Sequence, residues 1–174
     1  LFKYGYDYRG RFRYGLLGEK DPGEEFFKGS QSRGFDFYSA HFFYSGKGLL
    51  RRLAIGDYHA SFGQGLVMWS GIMFGKASLT GGNPSPARGI RPSTSANEFA
   101  FLRGAAITLG KGNFEFTALA GRNALDGTII TSDSLSEYIK GIQNTGLHRT
   151  PAEIAGKNSL HLTTVGGNLD YTGD

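Results

Sequence analysis

From Phe2 to Arg9 aromatic and polar residues alternate without a break, with Phe2, Tyr4, Tyr6 and Tyr8 set against Lys3, Gly5, Asp7 and Arg9. A period of two puts each set on its own face of a β-strand, one face aromatic and the other polar or small. Beyond Arg9-Gly10, the opposition of Phe12, Tyr14 and Leu16 to Arg11, Arg13 and Gly15 predicts a second strand that continues both faces. The same reading predicts strands over about 35–44, 49–58, 98–109, 114–122 and 160–171. In the sixth, Phe114, Phe116, Ala118 and Ala120 oppose Glu115, Thr117 and Leu119.

The links between these strands alternate in length. Arg9-Gly10, Ser45-Gly46-Lys47-Gly48 and Gly110-Lys111-Gly112-Asn113 are tight turns, whereas 20–34, 63–97 and 123–158 are long. Outer-membrane β-barrels have this form, with brief periplasmic turns and extended outer loops. The expected fold is therefore all-β, an antiparallel transmembrane β-barrel. The odd strand count, and a first strand that must start on the long-loop side, predict a portion of a larger barrel, incomplete at both ends, with roughly seven to eight strands present. Within 63–97 the apolar Leu66-Val67-Met68-Trp69 suggests an insert folding back into the lumen, with Phe62, Gln64, Leu66 and Trp69 as the candidate plug or constriction. Thr150-Pro151-Ala152-Glu153 joins a capping box to a proline at the first helical position, which predicts a short helix over 151–157 inside the third long loop.

Composition narrows the classes. Glycine (28), phenylalanine (14) and tyrosine (9), against 2 Met and 1 Trp, suit twisted strands and aromatic faces, while 39% hydrophobic residues is low for a helical core. No run approaches the ~20 apolar residues of a membrane helix. A negative mean hydropathy is compatible with a barrel, because lipid meets only alternate residues. Cysteine is absent, which removes disulfides and thiolate metal sites. The net charge of +4 is scattered, with no basic run of the kind that binds nucleic acid.

No catalytic or cofactor signature is complete. Gly63-Gln64-Gly65 lacks the third glycine of a dinucleotide loop, since Met68 stands there, and Gly75-Lys76 is followed by Ala77 where a phosphate loop needs Ser or Thr. His41, His59, His148 and His161 lie far apart, and Asp21, Glu24 and Glu25 match no calcium loop. Ser70 lacks the glycine of a nucleophile elbow. A barrel lipase or protease would need a serine and a carboxylate to converge on His148 or His161. No cofactor and no metal is expected. Arg11, Arg13, Arg51, Arg103 and Arg122 are candidate basic residues of the lumen, where they would favour anions; alternatively they pair with Asp7, Asp57, Glu98 and Glu115 in a packed interior. Phe2, Tyr4, Tyr6, Tyr8, Phe12, Tyr14, Phe114 and Phe116 are the candidate lipid-facing rings. In a soluble all-β carbohydrate-binding module the same Tyr-rich face would engage sugar.

Several strings, Gly56-Asp57-Tyr58 with Phe62-Gly63-Gln64-Gly65-Leu66, Trp69-Ser70-Gly71, Arg88-Gly89-Ile90-Arg91-Pro92, Phe101-Leu102-Arg103-Gly104-Ala105 and Thr145-Gly146-Leu147-His148-Arg149-Thr150, resemble a family of outer-membrane β-barrel proteins of Bacteroidota that often carry an N-terminal helix-hairpin-helix region. No helix-hairpin-helix segment occurs in these residues. The resemblance implies the barrel fold and a Gram-negative outer membrane as location. For such a barrel the expected role is porin-like passage, docking or scaffolding at the cell surface, with outer-membrane lipid and other envelope proteins as partners and no nucleic acid.

Overall fold

The computed structural model describes residues 1–20, 34–35, 37–63, 67–70, 88–97, 99–131, 137–143, 148 and 150–173. Among them form β1 (Phe2–Tyr8), β2 (Phe12–Glu19), β3 (Phe37–Ser45), β4 (Leu50–Phe62), β5 (Met68–Trp69), β6 (Gly89–Pro92), β7 (Leu102–Lys111), β8 (Phe114–Thr131), β9 (Glu137–Gln143), a helix α1 (Pro151–Gly156) and β10 (Leu160–Tyr171). Every pairing is antiparallel, and the main order is β1-β2-β3-β4-β7-β8-β10. The all-β antiparallel expectation holds. β1 and β10 stand at opposite ends of that order and do not pair, so the sheet of the described residues is open.

Turn chemistry fixes the first register. Arg9 (φ 55) and Gly10 (φ 66) both take positive φ, as in a type I′ turn, with Arg11 N–H donating to Tyr8 O at 2.9 Å and Arg11 as a third loop residue before the ladder begins. Positive φ is uncommon for a non-glycine residue, and here the Asp7 carboxylate braces the turn by accepting the Gly10 N–H at 2.6 Å. Tyr8 is thereby set opposite Phe12, and Tyr6 opposite Tyr14.

On one face of the sheet the side chains pack together. Phe43, Ala54, Tyr58, Ala106 and Leu119 form a buried cluster with Leu102, Phe62 and Ile90 of β6. A line of register crosses this face through Gly5, Gly15, His41, Gly56, Gly104, Gly121 and Thr164. Larger side chains lean into the room it leaves. The fully buried Tyr58 shares its hydroxyl proton between Ala105 O (3.2 Å) and Ala120 O (3.0 Å), the carbonyls beside Gly104 and Gly121.

The sheet forks at Gly56. The β3–β4 ladder stops at the His41–Gly56 pair, although β3 extends back to Phe37 and β4 on to Phe62. Gly56 has φ 91, and a Cβ there would sit 2.2 Å from Ala40 O. Beyond it β6 takes over, pairing Pro92, Arg91, Ile90 and Gly89 with Tyr58, His59, Ala60 and Ser61. We expect Gly56→Ala to lose about 1–3 kcal/mol from the backbone conformation alone, with the clash adding to it. Gly5→Ala, where nothing lies within 4 Å, serves as the control in the same urea titration.

Two expected loops contain regular structure. The described ends of 63–97 are β5 and β6, both annealed to β4, while 71–87 lie outside the described residues. Strands of 2 and 4 residues are too short for a period of two to register in sequence. Within 123–158, β8 runs on to Thr131 and pairs with β9. Ala124-Leu125-Asp126 and Thr128-Ile129-Ile130 do not alternate, so this hairpin is silent in the pattern. The helix forms as expected: Glu153 N–H donates to Thr150 Oγ1 and Thr150 N–H to Glu153 Oε2.

Candidate functional site

Opposite the packed face lies an apolar one that the described residues leave uncovered. One line of register runs Tyr6, Tyr14, Phe42, Ile55, Ala105, Ala120 and Val165 across all seven main strands. Its neighbour begins Tyr8, Phe12, Tyr44, Leu53 and Ile107. Rings gather towards the short turns, where Phe12 meets Tyr44 at 5.2 Å and Phe114 meets Tyr171 at 4.9 Å between centroids. Aliphatic side chains and alanines hold the middle of β4, β7, β8 and β10.

Phe2, Tyr4, Tyr6, Tyr8, Phe12, Tyr14, Phe114 and Phe116 all point to this face and are 39 to 55% exposed. At roughly 150–250 Å² per ring, they leave on the order of 500–1,100 Å² of aromatic surface uncovered. The largest apolar patch of a soluble monomer is typically about 300–600 Å². Moving that aromatic surface out of water is worth on the order of 10–25 kcal/mol at about 25 cal/mol per Å², comparable with the whole stability of a domain.

The five arginines separate. Arg13 and Arg51 lie on the packed side: the Arg13 guanidinium covers the Phe43 ring at 4.7 Å, and Arg51 pairs loosely with Glu115 at 3.7 Å and donates to Lys47 O. Arg11 sits exposed beside the first turn. Arg103 and Arg122 do not join Arg13 and Arg51: register places both on the opposite, apolar face, at its long-loop margin. Alternation from Ala105 and Ala120 would have signalled this. Arg103 forms a bidentate pair with Asp57, Nε to Oδ1 at 2.7 Å and Nη2 to Oδ2 at 2.8 Å, and Nη2 also donates to Tyr38 O across the fork. Of the expected pairings, those with Asp57 and Glu115 form; Asp7 braces its turn instead, and Glu98 lies outside the described residues.

Sequence reasoning passed over Arg52 and Arg91. Arg52 is on the packed face and donates to Arg88 O. Arg91, in β6, has a buried Nε without a hydrogen-bond partner, and burial with Arg88 nearby lowers its pKa. Of the four plug candidates, Phe62 ends β4 in the buried core and Trp69 pairs through its backbone with Ser61. Gln64 and Leu66 lie outside the described residues.

His148 is buried, with Nε2 at 2.7 Å from Asp126 Oδ2. The pair borders a cavity of about 90 Å³ that Gln143, Lys157 and Asn158 also line, with no serine, threonine or tyrosine among its described lining residues. The Ser159 hydroxyl donates instead to Gly127 O. Among the described residues no three His, Asp or Glu side chains converge on a metal position. Set against family models, curated proteins and solved structures, the chain matches none.

Proposed function

We propose that this chain forms the wall of an integral β-barrel of a Gram-negative outer membrane, the fold and location that its resemblance to the Bacteroidota family implies, and that it serves passage, docking or scaffolding at the cell surface. The apolar face carries the reading. It crosses seven antiparallel strands in continuous register, with rings concentrated beside the short turns where headgroups would meet them. β3, β7 and β10 span 9, 10 and 12 residues, close to the ~9–11 of a tilted membrane strand. Hydrocarbon tolerates no unpaired strand edge, so the reading requires the free edges of β1 and β10 to be satisfied by pairing in the assembled barrel. Lys3, Arg13, Arg51 and Arg52 would then face the interior together with Asp7, Glu115 and Asp170, so its lining would carry charges of both signs.

Size-exclusion chromatography of the purified chain, refolded with and without detergent, tests this. A monodisperse species only in micelles is expected. A stable monomer in plain buffer would defeat the reading and favour a soluble module whose Tyr-rich face binds carbohydrate.

A further inference from the structure

At the long-loop margin of the apolar face, the fork between β3 and β4 opens a cleft of about 570 Å³, within the roughly 300–1,000 Å³ of small-ligand sites. Its walls are Phe2, Leu16, Phe35, Tyr38 and Ala40, and its far end is closed by Asp57 and Arg103. Phe35 packs edge-on against Tyr38 at 5.6 Å and covers Gly18. Among the described lining residues the only charges are those of one ion pair.

That pair is internally neutral but incompletely used. Both Asp57 oxygens are occupied by Arg103, and the carboxylate is 1% exposed. Arg103 is 48% exposed, and among the described residues its Nη1 meets no acceptor. Arg122 follows Gly121, which pairs with Gly104, so it stands next to Arg103 along the same margin. It is exposed and has no acidic partner among the described residues. Among the described residues, the apolar cleft thus ends at Arg103 with Arg122 beside it, a net positive charge with unused donors.

We propose that this cleft binds a phosphorylated lipid of the surrounding leaflet, one acyl chain lying between Leu16, Tyr38 and Ala40 and the phosphate meeting Arg103 Nη1 and Arg122. An acyl chain fits the apolar walls and their continuity with the uncovered face. A phosphate fits the guanidinium geometry, since arginine recognises phosphate through planar multiple donation. The inference rests on the membrane reading above.

Native mass spectrometry of the full chain in detergent tests it with three probes: didecanoyl phosphatidic acid, the matching diacylglycerol and inorganic phosphate. Phosphatidic acid is expected to bind at least tenfold more tightly than either of the others. Arg122→Gln should bring it close to the diacylglycerol level, and Ala40→Trp, which fills the cleft, should abolish binding of both lipids while the far-ultraviolet circular dichroism stays that of the parent. Equal binding of the two lipids, or inorganic phosphate binding as tightly as phosphatidic acid, would overturn the proposal. Retention of selective phosphatidic acid binding by a chain that proves monomeric without detergent would sustain the cleft while rejecting the membrane, so the two ideas fail separately.

Discussion

Ile55→Arg is expected to lower the stability of the folded protein in lipid vesicles by about 2–4 kcal/mol, the cost of a cation on the lipid side of a barrel near mid-membrane. Ile55 lies in the central strand β4, 50% exposed, flanked in register by Phe42 and Ala105. Neither neighbour offers a guanidinium a carboxylate or another side-chain hydrogen-bond acceptor. In water the same exchange at an exposed position changes stability by no more than about 0.5 kcal/mol, and a charge there would aid solubility. Urea unfolding in vesicles measures the difference, and a change below that figure would mean that this face does not touch hydrocarbon.

Arg103→Ala is expected to cost about 3–5 kcal/mol, because it strands the buried Asp57 carboxylate. The half-exposed guanidinium and the water that could enter behind it place the value near the lower end of that span. Three contacts vanish together: the bidentate pair, the bond to Tyr38 O that ties the two arms of the fork, and the stacking over Phe101 at 5.1 Å. Arg103→Gln combined with Asp57→Asn removes both charges and should recover part of the loss. A double variant no more stable than Arg103→Ala alone would show that packing, not the unpaired carboxylate, dominates.

Strand positions and faces were legible where alternation was strong. Phe2 to Tyr8 and Phe12 to Leu16 predict both the hairpin and the exposed rings, and the capping box at Thr150 predicts the helix. What escaped is tertiary. The fork depends on Gly56 approaching Ala40 O, an event with no local signature beyond one glycine among 28. β5, β6 and β9 form because neighbouring strand edges are available to them, and β6 carries no alternation of its own. Arg103 reads as a lumen residue if charge alone is weighed; it can occupy the apolar face because Asp57 neutralises it there. The His148–Asp126 contact joins residues 22 apart in sequence and left no trace in spacing.

In the proposed barrel, the four-residue ladder between β6 and β4 would have a mechanical meaning for anything that travelled along the interior. Ile90 is sewn into the core and Ser93 N–H donates to Asp57 O at 2.9 Å, so this part of the insert is held by the same kind of main-chain bonds as the wall. Such a segment cannot swing aside like a hinged stopper. It would have to be unzipped one bond at a time, and cargo would pass beside a fixed obstruction whose width is set by the fold.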